Sequence, residues 1–583
     1  MNLVLIETSG NQQYIFSTNK LRENVGASEL TYRAGTQWVL EAVKDVSKQE
    51  SLWREDSEEL RQTLRDPSLN PKVEDGAEVE VIVATSGKAL LLVKHSESAR
   101  QIVQSVTLKA LEYAPGIDVF GVIRDFDWNR ETVGTAIKEV HEEFEAVRAN
   151  RPGPQMRFLR LPIIAECATS GFPASRLVKI SAQSSEAKSE VSIVKGEWRQ
   201  AYENRMQRLV RRDADLAGVS FAENVGRLEE DCDWLAVVHA DGNGLGEIFL
   251  KFGRHAGCED ASQNRAFVDT FRGFSLALDA CTEQAFLTAL KTLLKRTPDA
   301  WFKLPILPIV LGGDDLTIVC DGKAALQFTY DFLSEFEAQT EVTDRAHYGD
   351  IIPHIAKVAL GAPRLSACAG IAIIKPHFPF SSAYDLAEEL IKSAKQVKMR
   401  VKSPEAHQSG QRPWPCSAID FHALYDSTAS ELDQIRVELV KDGGSTKLYA
   451  RPYVITDPSR LEGASDNNGW AEAHCWKKLE RRVEAILMTD ENDEQRRSIP
   501  NRQLHDLRAG LFLGKKAANA RYDLISHRYE DDGRAALTTF EEEGGDSLFF
   551  RDSDGLDATR LLDAMEAANF WVTEESKKGA AVK

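Results

Sequence analysis

Two short stretches hold residue types suited to metal-assisted phosphoryl chemistry: 239–249 (HADGNGLGEIF) and 311–316 (LGGDDL). Each follows an apolar run. Residues 235–238 (LAVV) lead to Asp241, and 307–311 (LPIVL) lead to Gly312, Gly313, Asp314 and Asp315, with 316–320 (LTIVC) after them. The second pattern predicts strand, tight turn, strand, with two glycines making the turn and two carboxylates at its tip. The first predicts a strand ending in an acidic, glycine-rich turn that leads into a helix. Side by side, these strands make Asp241 face Asp314 and Asp315. Three clustered carboxylates repel one another unless a divalent cation neutralises them. Hard oxygen ligands with open positions suit Mg²⁺ or Mn²⁺ carrying a nucleoside triphosphate. The expected chemistry is in-line displacement at an α-phosphate. A two-metal site, with its ions about 3.5–4 Å apart, would activate the attacking hydroxyl and stabilise the leaving pyrophosphate.

The glycines matter as much as the acids. Gly242 is counted with the three aspartates at the metal site. Gly242 and Gly244 let backbone approach a triphosphate closely, and Asn243, Gly312 and Gly313 complete the expected phosphate-facing set. The DGNG string also opens like an EF-hand loop. That pattern fails, because Leu245 stands at its fifth position and Phe252 where the bidentate Glu belongs. Between the two motifs, Phe267, Phe271, Phe274, Leu278, Cys281 and Leu293 recur near helical spacing, so this helix can cover one face of the sheet.

The N-terminus repeats the pattern. Residues 3–11 (LVLIETSGN) and Tyr14–Phe16 lie over the strand and turn ending at Asp241. Residues 81–93 (VIVATSGKALLLV) lie over 308–316, and 118–123 over 367–372. Three ordered matches argue for an internal duplication. In this alignment Ser9 stands where the second copy has Asp241, and Lys88 and Ala89 stand for Asp314 and Asp315. The first copy has thus lost its metal ligands and gained a cation. Ser9 and Lys88 become nucleotide-binding candidates in a two-nucleotide site between the copies. The alternative, Lys88 as a solvated turn residue, stays open.

At 583 residues the chain exceeds one core, and two to four domains are expected. A 43% hydrophobic and 28% charged composition is ordinary for a soluble protein. No apolar run reaches transmembrane length, and the start (MNLVLIETSG) reads as a strand and not a signal peptide, so no membrane partner is expected; cysteines placed within apolar runs, as reduced core residues would be, fit a cytoplasmic location. The eight cysteines form no C-x-x-C pair. The net charge of −18 argues against a broad nucleic-acid-coating surface. Two local basic runs stand out. In 199–212, Arg205, Arg208 and Arg212 share a helical face that reads as solvated. In 392–402, Lys395 and Lys398 are expected near the triphosphate.

The expected class is α+β: two ferredoxin-like palm domains, one degenerate (1–148) and one active (225–402). A partly helical connector spans 149–224, and a mainly helical domain spans 403–583. Residues 49–76 read as a charged, mobile insertion, and 465–469 and 541–546 as exposed loops. Residues 448–455 (LYARPYVI) read as extended. Phosphate-loop, nucleophile-elbow and H-E-x-x-H motifs are absent from the sequence.

These motifs resemble the large, palm-containing subunit of type III CRISPR effector complexes. The resemblance rests on 14–28 (YIFSTNKLRENVGAS), DGNG at 241–244, GGDD at 312–315, 366–374 (SACAGIAII) with 387–395 (AEELIKSAK), and 417–422 and 451–453 further on. It implies synthesis of cyclic oligoadenylates from ATP in antiviral defence. It implies Asp241 and Asp314 as metal ligands, Asp315 assisting and Lys395 on phosphate. Lys20, Arg22 and Ser28 would lie near the palm–palm interface, with Lys20 and Ser28 as nucleotide-site candidates. The implied partners are ATP or other nucleoside triphosphates, RNA or other CRISPR-type subunits as activators, and a separate effector that senses the product. The chain opens directly on the palm, without the His/Asp nuclease domain that often precedes it, so DNA cleavage is not expected. The zinc-binding cysteines of some members are also missing, Cys167 standing alone. A catalytically silent nucleotide- or RNA-binding scaffold is the alternative, and a templated polymerase a third reading. Retention of all three acids in one copy, beside their loss in the other, favours the enzyme.

Overall fold

A computed structural model describes residues 1–150, 152, 156, 158, 160–179, 181–221, 226, 228, 230–296, 306–343, 348–407, 410–425, 431–466, 469–490, 493–529, 532–542 and 547–572. The first sheet contains β1 (Asn2–Ser9), β2 (Val79–Thr85), β3 (Lys88–Val93) and β4 (Asp118–Asp125) in the order β2-β3-β1-β4, all antiparallel. Helix α1 (Leu21–Gly35) lies between β1 and β2 in the chain, α2 (Ser57–Arg65) follows it, and α3 (Ser96–Tyr113) lies between β3 and β4. This is the ferredoxin-like order, and α4 (Val133–Ala149) follows β4.

A connector brings the hairpin β5 (Arg176–Lys179) and β6 (Ser185–Lys188), then α5 (Glu190–Glu197) and α6 (Arg199–Val210). The second sheet repeats the first. β7 (Leu235–Gly242), β8 (Ile306–Gly312), β9 (Asp315–Asp321) and β10 (Ala367–Ile374) take the order β10-β7-β9-β8. Helix α7 (Asn264–Arg296) lies between β7 and β8, α8 (Gly322–Glu341) between β9 and β10, and α9 (Phe380–Ala394) follows β10. All six apolar positions expected on one face of α7 are buried. Both hairpins carry a register shift at the same place, between Val81 and Val83 in one and Pro308 and Val310 in the other. A shared bulge at a shared distance from the turn supports duplication independently of residue similarity.

The sheet runs past the expected boundary at residue 402. β11 (Ala418–Ala423) pairs parallel with β10, and β12 (Tyr453–Val454) pairs with β11. Residues 418–423 alternate too little to stand as an outer strand; buried on nearly every position, they need the palm sheet beside them. Beyond it the chain is largely helical, with α10 (Trp476–Leu487), α11 (Asn501–Phe512) and α12 (Leu561–Ala568). Arg451 anchors this part, fully buried between Asp563 (2.8 Å) and Glu566 (2.8 Å). Of the two expected loops in this part, 467–468 and 543–546 lie outside the described residues.

Helix α1 is the spine of the molecule. Nearly every residue in it is buried, although Glu23, Asn24, Ser28, Glu29 and Arg33 are polar. The charges persist there because each has a partner: Glu29 takes Arg33 (2.6 Å) and Arg205 (2.7 Å), and Glu23 takes Lys188 (3.1 Å). A Cβ on Gly26 would stand 1.7 Å from the Lys195 carbonyl oxygen, so only glycine lets α5 approach α1 this closely.

Two sequence expectations are corrected here. The arginine face of 199–212 is ion-paired and not free in solvent, with Arg205 turned inward and Arg212 still exposed. Arg205 stacks over Tyr32 (4.2 Å) while holding Glu29, Arg208 meets Glu55 (2.5 Å), and Arg212 meets Asp56 (2.8 Å) and Glu283 (2.9 Å). Nor is 49–76 a loose insertion. α2 starts on an Asp56 side-chain cap and buries Leu60, Arg61 and Leu64.

Candidate active site

β7 and β9 are neighbours, with Ala240 opposite Leu316. The next rung brings Asp241 beside Asp315, and the turn from β8 to β9 places Asp314 at the tip. One carboxylate oxygen from each of the three lies within 4.8 Å of the other two. Each side chain is partly exposed. Burial, and then the charge of Asp314, push Asp315 up to about 8. Burial also raises Asp314, opposed by backbone N–H groups including that of Gly242. These groups resist ionising together without a counter-charge. Three hard oxygen donors in this spacing fit Mg²⁺ or Mn²⁺.

Gly242 and the hairpin glycines show why this turn is spelled as it is. A Cβ on Gly242 would stand 2.3 Å from Leu245 Cδ1 and 2.8 Å from Asp314 Oδ2. Gly313 turns with φ 63°, and Gly244 begins the next helix with φ 76°. Asn243, expected on the nucleotide, points elsewhere. Its Nδ2 donates to Ser366 Oγ (3.2 Å) and to the Cys416 carbonyl (3.0 Å), tying β7's end to the sheet beyond.

Lys395, just past α9, places its ammonium on Asp241 Oδ2. Lys398 lies one turn on, and its charge adds to burial in disfavouring that of Lys395. Below Asp241 on the same strand face, His239 Nδ1 meets Thr317 Oγ1 (3.0 Å), and its ring packs against Tyr384. Burial, then Lys395, bring His239 down to about 4, so it is neutral near pH 7.

A cavity of about 700 Å³ opens between the two palms. Gly313 and Asp314 reach its wall from one side, and Thr85, Ser86, Lys88 and His141 from the other; Phe249 and Phe271 supply apolar surface. Lys88 is held by Glu7 (3.1 Å) and by His141 Nε2 (2.9 Å). Ser28 donates to the Ile309 carbonyl, joining α1 to β8, so its hydroxyl serves the palm–palm contact and not a ligand. Ser9, Lys20 and Arg22 are outside the residues lining the cavity, and Lys20 is exposed at the start of α1.

Strand register corrects the alignment of the two copies. Glu7 pairs with Lys88 across β1 and β3, the rung that Asp241 and Asp315 occupy where β7 and β9 end. Glu7, not Ser9, therefore stands for Asp241, and Lys88 stands for Asp315. The first palm keeps one acid and supplies its own cation.

Three further residues were not singled out by sequence pattern. Asp279 Oδ1 accepts the Gly313 N–H (3.0 Å), Thr282 Oγ1 donates to the Gly313 carbonyl (2.6 Å), and Arg61 holds Asp279 Oδ2 (2.5 Å). Cys167 is solitary as a thiol, yet Ser170, Ser189 and Ser192 cluster with it. Cys167 Sγ lies 3.4 Å from Ser192 Oγ, Ser170 Oγ 3.1 Å from Ser189 Oγ, and Ser189 Oγ 3.3 Å from Ser192 Oγ. Burial alone would raise this thiol, but hydroxyl and backbone hydrogen bonds bring it down to about 5.

Residues 234–402 match the family model of the Cas10/Cmr2 second palm domain. No curated protein matches the chain. Among solved structures it overlaps a crystal structure of a Csm1–Csm4 cassette in complex with cA4, at 13% identity and TM-score 0.37, over 82% of this chain and 62% of that one. A Csm1–Csm4 cassette in complex with AMPPNP overlaps at 12% identity and TM-score 0.39, over 86% and 66%. A cryo-EM structure of type III-B Cmr-β in its apo state overlaps at 10% identity and TM-score 0.42, over 95% and 79%. The chain thus spans less than two thirds of the first of these proteins. Among the described residues no helix is long and apolar enough to cross a membrane.

Proposed function

We propose that the protein is a metal-dependent nucleotidyltransferase that joins nucleoside triphosphates into a cyclic or linear oligonucleotide. Oligoadenylate made from ATP is the expected product, serving as a second messenger in antiviral defence and read by a separate effector. The observation that carries this reading is the three-carboxylate cluster formed by the end of β7 and the β8–β9 hairpin tip, whose member Asp314 lines a cavity shared with a second palm that has its own cation.

Asp241, Asp314 and Asp315 would hold Mg²⁺ or Mn²⁺, with Gly242 clearing the space beside them. Bound metal supplies Lewis-acid polarisation of phosphate and a lowered pKa for the attacking hydroxyl. The protein's own residues orient and screen. With Asp241 engaged in holding metal, Lys395 would be free to meet a phosphate oxygen, and Lys398 would add positive potential. Gly244, Gly312 and Gly313 keep side chains out of the path of the triphosphate. Lys88, pinned between Glu7 and His141, offers a positive charge to a second nucleotide. A cavity of about 700 Å³ falls within the range of small-ligand sites. RNA or other subunits of a CRISPR-type complex would act as the trigger.

The test is mass spectrometry of products from purified protein with all four nucleoside triphosphates and Mg²⁺ or Mn²⁺, beside the Asp314→Ala/Asp315→Ala double variant. Pyrophosphate release and an oligonucleotide made by the wild type alone support the reading. Metal-dependent ATP binding without product points to a missing trigger. Absence of both product and metal-dependent binding overturns the proposal.

A further inference from the structure

Helix α7 does more than cover the sheet. At its midpoint Asp279 and Thr282, three residues apart and so on one face, grip the same residue of the hairpin tip. Asp279 accepts from the Gly313 N–H at 3.0 Å, and Thr282 donates to the Gly313 carbonyl at 2.6 Å. Gly313 is the residue immediately before Asp314, and its φ of 63° is the conformation that sets the turn. A two-residue hairpin turn would otherwise be free to rock. Two opposed hydrogen bonds on one residue fix both its position and its tilt.

The acceptor is itself held. Arg61 reaches from α2 of the first palm to Asp279 (2.5 Å) and Glu283 (2.7 Å). Glu283 also takes Arg212 (2.9 Å) and Ser57 Oγ (2.6 Å). Arg61 and Glu283 are nearly closed to solvent, so this is a desolvated network with each charge countered. The hairpin tip of the second palm is thus anchored, through one helix, to the first palm and the connector.

We infer that Asp279 and Thr282 are positioning residues that set the spacing of Asp314 and Asp315 for metal by clamping Gly313, with Arg61 fixing the clamp from the other palm. This rests on the metal-site reading above and adds the device that holds the site in shape. Neither side chain touches metal or nucleotide in this role.

The test uses the full chain with Mn²⁺ as the probe, in wild type and in Asp279→Ala, Asp279→Asn and Thr282→Val. Hydrogen–deuterium exchange of peptides covering 311–316 reads the clamp without metal. Mn²⁺ titration reads its effect on the carboxylates. Asp279→Ala is expected to speed exchange at the tip and to weaken Mn²⁺ at least about tenfold, the scale of a hydrogen bond to a charged group. Asp279→Asn keeps an acceptor oxygen for Gly313 and is expected to restore both readouts to within about threefold, roughly half the free energy of that tenfold loss. Thr282→Val, nearly isosteric, is expected to give a smaller change of the same sign. Unchanged exchange in Asp279→Ala overturns the clamp. Faster exchange with wild-type Mn²⁺ affinity overturns its positioning role, as does an equal loss in the Asn and Ala variants. If the wild type binds no Mn²⁺, the metal-site reading falls, while the exchange arm still decides the clamp.

Discussion

Replacing Asp315 by asparagine is expected to stabilise the metal-free protein near pH 8 and to abolish its stabilisation by Mn²⁺. Burial, then the neighbouring Asp314 charge, push Asp315 up to about 8, against about 3.9 in an unfolded chain. Between these values the folded state holds one proton more than the unfolded state. Stability therefore falls as pH rises from about 4 to about 8, the reverse of an ordinary ion-paired carboxylate. At about 1.4 kcal/mol per unit the full shift is worth roughly 5–6 kcal/mol. Asp315 is only partly buried, so solvent screening reduces this to on the order of 2–3 kcal/mol. The amide of the Asp315→Asn variant cannot ionise, and that portion of the slope disappears. Mn²⁺ at a hundredfold excess over its Kd should return about 2.7 kcal/mol to the wild type by mass action and nothing to the variant. Urea unfolding at about pH 5 and about pH 8, with EDTA or with Mn²⁺, measures all four quantities. Parallel pH dependence in the two proteins, or equal rescue by Mn²⁺, would refute the reasoning.

Three other perturbations probe the scaffold. Lys195 is buried, donating to the Tyr14 carbonyl and to Ser17 Oγ (2.8 Å), and burial brings it down to about 7 against the pull of Glu23. The unfolded chain keeps that proton up to about 10.4, so stability should rise between pH 7 and 10, and Lys195→Met should flatten the rise in a denaturant series. Arg451→Met strands Asp563 and Glu566 without a counter-charge and should cost about 3–5 kcal/mol in urea unfolding. Gly370→Ala puts a Cβ 2.0 Å from the Ala387 carbonyl oxygen, forcing α9 off β10; a loss of about 1–3 kcal/mol and weaker Mn²⁺ binding are expected, since α9 carries Lys395 towards Asp241.

Much of the site's architecture was legible because β7, β8 and β9 are apolar runs that stop at glycine or aspartate, and GGDD gains meaning from lying between two such runs after DGNG. The pairing of Asp241 with the hairpin acids followed from strand adjacency alone. What stayed hidden depends on contacts distant in sequence. The 199–212 arginines read as solvated because charge runs usually are, and nothing local reveals that Glu29 and Glu283 await them inside the protein. Asp279 is one polar residue on a long helix, and its role appears only when Gly313, 34 residues away, is folded onto it. Asn243 sits between two glycines in the motif, and its turn toward Ser366 is set by a strand more than a hundred residues on.

The alignment of the two palms erred for a related reason and in an instructive way. Matching similar letters set Ser9 on Asp241 and Lys88 on Asp314, because both hairpins are apolar on either side of a small-residue turn. The ladders set Glu7 on Asp241 and Lys88 on Asp315 instead. Charge then makes sense of both halves. The second palm gathers three acids against one neighbouring cation, Lys395 on Asp241, and its tip is braced from outside by Asp279, Thr282 and Arg61. The first palm holds one acid and one lysine 3.1 Å apart, is neutral without metal, and needs no such brace. On the proposed reading, the copy whose single acid is matched by its own lysine serves as the fixed wall, and the copy with acids in excess of its lysine is the one that would take up metal.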